Sequence, residues 1–351
     1  MQKFASLIAD SLSRPTTKDL AKLAGVSRAT VDRVLNGREG VKQRTVDKVN
    51  AAIAQLGFER NISAANLAKS RTYRFLFVVP RSGDQFLAEI LNHIKEAESA
   101  FAAENVWTDI HHIDENDPHG IAAFLATLTP RQIDGVAIMA PQTSQVRDAI
   151  LRLQQRGVQA LAFISNQALD QTDWVGIDNR AAGETAATLI GRFVRAGRGT
   201  VLSIAESMQS RDSLERRLGF DDVINNSFPW LTALPSIETY GSVERARQVI
   251  GTAVRHNRET VAIYILASEA RVPLEILKSV TALQSIVIIA HERTPYTEAA
   301  LRNGTLDGLI TQNPGHLVRS AIRKMRAMAD GRKILESQEK IRVEILLKTN
   351  L

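Results

Sequence analysis

Residues 17–36 read TKDLAKLAGVSRATVDRVLN, and the rest of the chain is organised around them. Leu20, Ala21, Leu23 and Ala24 give a first short helix an apolar face. Gly25 supplies the left-handed backbone that ends it, and Val26 turns into the corner. Ser27 caps a second helix, its hydroxyl accepting an orphan amide of the first turn. Val31, Val34 and Leu35 form the inner face of that helix at helical spacing. Ala21 stands four residues before Gly25 and Val31 six after it, so the contact is small and the corner tight. Two helices joined this way form a helix-turn-helix, whose second helix fits a DNA major groove.

Outward from this unit, Thr16 or Thr17 starts the first helix, with Asp19 favourable in its first turn. A third helix is expected from Gln43 or Arg44 to Leu56, with Val46, Val49, Ala52, Ile53 and Leu56 inward and Gly57 stopping it. Arg28, Ala29, Asp32 and Arg33 project from the second helix, away from Val31 and Leu35. Arginine can pair bidentately with guanine, and alanine can touch a thymine methyl. Asp32 either accepts from a cytosine amino group or holds Arg28 through an i,i+4 pair. Residues 1–15 form an extension without an assigned role. The stretch 61–71, NISAANLAKSR, is small and polar around one large apolar residue, Leu67. It has too little apolar surface to fold alone. It reads as a hinge that becomes helical when two copies meet on DNA, with paired Leu67 side chains wedged into the minor groove.

Charge is segregated in the same way. Residues 1–71 carry 13 Lys or Arg against 6 Asp or Glu, whereas the remainder carries 31 against 32. A small basic head on a near-neutral body suits contact with phosphates at one end. At 351 residues, 44% of them apolar, the chain is too long for one core and implies two or three domains. No window approaches the ~18 uninterrupted apolar residues of a membrane span. Residues 1–13 lack the long apolar run of an export signal, which points to a cytoplasmic protein without a membrane partner. With no cysteine, disulfides, thiolate metal sites and cysteine nucleophiles are excluded.

These motifs resemble the LacI/GalR family of bacterial repressors. The matching residues are Thr16–Ala21, Ala24–Ser27, Thr30-Val31, Arg33–Asn36, Asn61 and Leu67-Ala68. Within the family, Ser27 to Gly37 resembles the branch reading SRATVDRVLNG. The resemblance implies that Arg28, Ala29 and Arg33 read bases and that Leu67 is the intercalating lever. The DNA-facing set on this reading is Thr17, Ser27, Arg28, Ala29, Thr30, Asp32, Arg33, Asn36, Asn61 and Leu67. Two features depart from the pattern. Asp32 replaces a small hydroxyl residue, and Phe58-Glu59-Arg60-Asn61 lacks the proline that usually leads into the hinge.

From Arg74 onward, short apolar runs alternate with amphipathic segments. Strands are expected at Phe75–Val79, Gly135–Met139, Ala160–Ile164, Trp174–Ile177, Val201–Ala205, Ile237–Tyr240, Val261–Leu266, Ile286–Ala290 and Gly308–Thr311. Helical periodicity marks Phe86–Glu104, Ser144–Arg156, Ala181–Ala196 and Val243–His256. Repeated β-then-α units mean parallel sheets with helices on both faces. The expected architecture is α/β: a small all-α helix-turn-helix head (1–60), the hinge (61–71), and a doubly wound body of two lobes (72–351). The family resemblance implies a body like a periplasmic binding protein, with crossovers near 165–172, 291–296 and 312–316.

A ligand belongs outside the carboxyl ends of such strands. There the sequence places Ser82, Asp84, Gln85 and Phe86, then Ser165-Asn166, Asp178-Asn179, Ser268-Glu269, His291-Glu292 and Gln312-Asn313. Arg216 lies one helical turn before Phe220. The candidate effector set is Ser82, Gln85, Phe86, Asn166, Asp178, Arg216, Ser268, His291, Glu292 and Gln312. It alternates donors and acceptors around an apolar floor at Phe86, which suits a polyhydroxylated ligand. Resemblance to sugar-binding relatives implies that Arg216, Glu292 and Gln312 grip ligand hydroxyls, with Asn166 where an Asp often stands. Leu214 occupies a position often taken by a second Arg, which weakens the case for a strongly anionic effector.

Rival chemistry is weaker. In His111-His112-Ile113-Asp114 only His112 and Asp114 share a side of a strand, so a solvated edge strand is expected there rather than a metal site. His291 beside Glu292 lacks a nucleophile elbow, no phosphate loop occurs, and the glycines at 191–199 follow a helix rather than open one. The expectation is therefore a homodimeric regulator, not an enzyme, with operator DNA and a small sugar or polyol as partners and no cofactor. It acts as a repressor that the effector releases, or as one that a corepressor strengthens. A solute-binding protein would share the body but needs an export signal and no basic head.

Overall fold

The computed structural model describes residues 15–35, 39–58, 71–81, 84–168, 173–195, 197–334 and 336–351. Residues 1–14, Asn36, the stretch 59–70 with Asn61 and Leu67, and Ser82 lie outside the described residues. The chain divides into two units, Met1–Arg71 and Thr72–Leu351.

Among the described residues the first unit holds three helices, α1 (Thr17–Ala24), α2 (Arg28–Leu35) and α3 (Gln43–Leu56). Thr16 opens α1 with a capping box: Asp19 N–H donates to Thr16 Oγ1 at 3.4 Å, and Thr16 N–H donates to Asp19 Oδ2 at 2.8 Å. Gly25 closes it at φ 65°, and Val26 N–H reaches back to Ala21 O at 3.0 Å. Thr30 N–H donates to Ser27 Oγ at 3.1 Å, which is the cap expected for α2. Gly57 ends α3 at φ 57°. Leu20, Ala21, Ala24, Val31, Val49 and Ala52 form the core, with Val26, Val34 and Leu35 against it. Leu23 is an exception to the expected face. It is exposed, because Leu20, Ala21 and Ala24 define a stripe from which position 23 is rotated away.

The second unit is built on two sheets. The first is all parallel, in the order β2 (Val106–Ile113), β1 (Tyr73–Pro80), β3 (Gly135–Ile138), β4 (Gln159–Phe163) and β5 (Asp173–Val175). Helices α4 (Gln85–Phe101), α5 (Pro118–Thr127) and α6 (Ser144–Gln155) connect these strands. Strand β2, which carries His111 and His112, lies at the sheet edge. His111 stacks on Phe124 with ring centroids 3.5 Å apart, and His112 Nδ1 lies 3.1 Å from Pro80 O.

Helix α7 (Asn179–Phe193) leads into the second sheet. Its strands are β6 (Gly199–Ala205), β7 (Leu231–Ala233), β8 (Ile237–Glu238), β9 (Thr260–Ile265), β10 (Val287–His291) and β11 (Gly308–Thr311), with β12 (Glu344–Leu346) antiparallel at one edge. Helices α8 (Arg211–Ser227), α9 (Val243–His256), α10 (Arg271–Val280) and α11 (Pro295–Arg302) alternate with them. Two helices are in unusually close contact. A Cβ at Gly183 of α7 would collide with the Arg216 carbonyl, and one at Gly219 of α8 with the Arg180 carbonyl.

The crossings between sheets differ from expectation in two places. The chain does not cross within 165–172, because it goes on to form β5 beside β4; it crosses at 176–178. It does not cross at 291–296 either, since β10 and β11 are neighbours in one sheet. It crosses at 312–313, as expected, where α12 (Pro314–Ala329) returns to the first sheet. It crosses again between α12 and β12. Met325 of α12 covers Gly135 and Phe75, and Tyr73 OH donates to Asp330 Oδ1 at 2.7 Å. A short helix, α13 (Glu336–Glu339), lies on the way back. No helix among the described residues is long and apolar enough to cross a membrane.

Candidate functional site

In the first unit, α2 presents an exposed polar face. Arg28, Ala29, Asp32 and Arg33 are exposed on α2, opposite buried Val31. Ser27, exposed, and Thr30, half-buried, are occupied in capping the helix that carries those residues. Thr17, half-buried, begins α1. Two cationic side chains and a methyl on a capped helix are groups able to meet base edges in a major groove.

In the second unit the carboxyl ends of both sheets meet. Arg216, 5% exposed, is the hub. Its Nε donates to Asn179 Oδ1 at 2.8 Å, its Nη1 to Leu266 O at 2.9 Å and its Nη2 to Glu292 Oε1 at 3.1 Å. Gln312 Nε2 donates to the same Glu292 oxygen at 3.1 Å, and Thr311 Oγ1 lies 3.5 Å from the other. Glu292 sits at φ 62°, a conformation rare outside glycine, and its N–H is fixed on Ile310 O at 2.8 Å. Burial raises the Glu292 carboxyl pKa, and the Arg216 charge pulls it back down.

Asn179 also donates from Nδ2 to Asp212 Oδ1 at 3.1 Å, while Ser165 Oγ donates to Asp212 Oδ2 at 3.1 Å. Burial raises the Asp212 carboxyl despite the opposing pull of Arg216. Contacts between the lobes complete the picture. Ser268 Oγ donates to Asp84 Oδ2 at 2.9 Å, and Arg211 Nη1 to Gln142 Oε1 at 3.4 Å.

The structure thus brings Arg216, Glu292 and Gln312 together, with Ser268 reaching the opposite lobe. Phe86 is buried behind Asp84, whose Oδ1 accepts its N–H at 2.6 Å. Gln85 opens α4 beside it, half-buried. Three residues behave otherwise than expected. Asp178 is exposed and caps α7 by accepting from Ala181 N–H at 3.0 Å; its neighbour Asn179 is the one turned to Arg216. Asn166 Oδ1 accepts from Ala168 N–H at 2.8 Å, shaping its own loop. His291 is fully buried beneath the network, with Nε2 2.8 Å from Tyr264 OH. Burial holds its pKa well below the usual histidine range. Asn179 stood in the sequence beside the chosen residue. Asp212 gave no local signal, because its partners come from two other segments.

Comparison with known proteins matches each unit to a family. Residues 16–61 match the bacterial regulatory proteins of the lacI family, and residues 75–333 match the periplasmic binding protein domain. Catabolite control protein A of Staphylococcus epidermidis is 26% identical over 171 residues, covering 49% of this chain and 50% of that protein. The HTH-type transcriptional regulator RegA of Clostridium saccharobutylicum is 34% identical over 136 residues, 39% of each chain. The chain therefore spans about half the length, or less, of these relatives. Among solved structures, GanP, a glucose-galactose binding protein from Geobacillus stearothermophilus, aligns with a TM-score of 0.69 at 17% identity. The alignment covers 80% of this chain and 99% of that one.

Proposed function

We propose, for a chain that belongs to the periplasmic binding protein domain family through residues 75–333 and carries a lacI-family head at 16–61, that it is a sequence-specific transcriptional regulator. Two copies act together in the cytoplasm, each head laying α2 in the major groove of one half-site. Lys and Arg contacts to phosphate supply affinity, and Arg28, Ala29 and Arg33 supply specificity. The hinge residues Asn61 and Leu67 take the minor groove between the half-sites, and Thr17 and Asn36 flank the recognition helix. The body binds a small polyhydroxylated effector between its lobes and thereby releases the operator. An effector can do this only through different affinities for the two lobe arrangements.

The observation that carries this reading is the buried Arg216–Glu292–Gln312 network at strand ends, in a chain whose exposed, capped α2 presents Arg28 and Arg33. The glucose-galactose binding protein with the same fold supports a sugar-like ligand. The test selects duplexes from a random pool with the full-length protein, then titrates sugars and polyols against the selected duplex. A selected sequence released by one ligand class is the expected result. A protein with no preferred sequence at cellular ionic strength overturns it.

A further inference from the structure

At the amino ends of the second sheet, opposite the cleft, the chain encloses a cavity of about 500 Å³. The stretch from Arg192 to Arg195, where α7 ends, forms one wall. Val261 of β9, the segment 284–287 that leads into β10, and Asp307, next before β11, form the others. Sites for small molecules run from roughly 300 to 1,000 Å³, so the space is of the right order. Its apolar lining is only half-buried, at Phe193, Val194, Val261 and Val287.

The charge around this cavity is one-sided. Arg192 and Arg195 are exposed, and among the described residues neither is paired with a carboxylate. Arg192 stands in the last turn of α7, where a cation suits the helix end. Arg195 stands beyond that helix, where the dipole gives no such reason. Arg198, just before β6, Arg258, two residues before β9, and Lys348, two past antiparallel β12, bring more positive charge to the same strand ends. Against them stand Glu259 and Asp307. Charges on the neighbouring helix ends are already engaged. Arg302 pairs with Glu298 and Lys278 with Glu275, while Arg255 and His256 turn back onto Thr252.

Asp307 is not the missing counter-charge. Its Oδ2 accepts from Ile288 N–H at 2.8 Å. Partial burial raises its pKa, that bond pulls it back, and no guanidinium bears on it. Among the described residues, nothing in the protein engages its other oxygen, the Gln284 amide or the Ser285 hydroxyl. The cavity thus offers two unmatched guanidinium groups, and elsewhere on its wall an acceptor, an amide and a hydroxyl. Guanidinium forks suit phosphate and carboxylate oxygens. Two of them together are matched by a dianion, which a phosphate monoester is near pH 7 and a single carboxylate is not. The remaining polar groups suit the hydroxyls of the skeleton that carries the phosphate.

We infer that this cavity binds an organic phosphate monoester, with the phosphate on Arg192 and Arg195 and a skeleton hydroxyl donating to Asp307. It is a second ligand site, at the other end of the sheet from the cleft. It stands or falls independently of the effector reading of that cleft.

The test uses the full-length protein with inorganic phosphate, ribose, ribose 5-phosphate, adenosine and AMP as probes. Sugar phosphates and nucleoside monophosphates share the inferred chemistry, and comparing ribose 5-phosphate with AMP shows which source is preferred. Thermal midpoints are followed against concentration at constant ionic strength. Phosphate also stabilises proteins by exclusion from their surface, so each shift is read as wild type minus R192Q/R195Q. The expected result is that ribose 5-phosphate or AMP raises the wild-type midpoint and not that of the double variant, whereas ribose and adenosine shift neither. R192Q and R195Q singly should each weaken the apparent affinity about tenfold or more, the loss of one charge-assisted bond. The amide oxygen of D307N can still take the Ile288 N–H. That variant should bind inorganic phosphate no more weakly, yet shrink the advantage of the esters over it.

An ester shift that is equal in wild type and R192Q/R195Q places the phosphate elsewhere, as on the basic head, and overturns the inference. No shift with either ester overturns it as well. Inorganic phosphate bound as tightly as both esters overturns the monoester assignment, and an ester advantage intact in D307N overturns the role of Asp307.

Discussion

The backbone carbonyl of Arg216 lies where a side chain on Gly183 would have to go. Gly219 meets the carbonyl of Arg180 in the same way, one turn along. Helices α7 and α8 therefore approach until backbone touches backbone. That spacing brings Asn179, on the first turn of α7, to 2.8 Å from the Arg216 guanidinium on α8. Two hydrogen atoms standing for side chains thus set the geometry of the network.

Gly183→Ala should force these helices apart. Overpacking of this kind costs about 1–3 kcal/mol, read as a lower urea midpoint. Effector response should weaken while operator binding persists, measured by fluorescence anisotropy with and without ligand. Unchanged stability and response would show that the contact can relax without consequence.

Arg28→Ala should weaken binding to the selected operator by about 1–3 kcal/mol and relax discrimination at one base pair. Binding curves on single-base variants of the operator check this. An equal loss on every sequence would assign Arg28 to phosphate instead.

Arg216→Ala leaves Glu292 buried without its cation, and breaking a buried pair this way costs about 3–5 kcal/mol. The cost should depend on pH. Burial already raises the Glu292 pKa, and Arg216 opposes that rise. Without Arg216 the folded-state pKa climbs further, and the penalty grows as pH rises through it. Denaturant unfolding should show a smaller gap between wild type and variant at pH 5 than at pH 8. A gap independent of pH would mean that Glu292 stays charged or escapes to water.

His291 is buried in its neutral form, with its pKa held well below 6.5. An unfolded chain takes up the proton near 6.5, and the folded one does not until lower pH. Between those two values the native state loses about 1.4 kcal/mol per pH unit from this group. Wild type should therefore lose stability on acidification more steeply than His291→Gln, which has nothing to titrate. Parallel profiles in unfolding experiments from pH 7 to pH 5 would show that the ring is protonated in the fold.

What the sequence disclosed was local. Gly25 and Ser27 announce a turn and a cap through backbone chemistry within a few residues, and the structure has both. Phe75–Val79 lies wholly in a strand for the same reason, and Val261–Leu266 does so up to Ile265. The crossings were obscured because the destination of a short strand depends on partners far away. Nothing in Asp173–Val175 itself says that it joins β4 rather than leaving the sheet. In the candidate site, the strand-end pattern pointed to Arg216, Glu292 and Gln312, which the structure brings into one network. It misled at Asp178, where an acidic residue before a helix reads equally as a cap, and a cap it is. Gly183 and Gly219 carried a readable signal, small residues on facing helical surfaces, that only the pairing of the two helices interprets.

Helix α12 has a consequence for the order of events on the ribosome. It covers the sheet made from the earliest strands of the body, yet about 250 residues separate it from β1 in the chain. At translation rates of roughly 5–20 residues per second, that is on the order of ten to fifty seconds. Throughout that interval Phe75 and its neighbours can pack with Leu87, Ile90 and Ile94 of α4 but not with α12. That side of the core closes only when Met325 arrives.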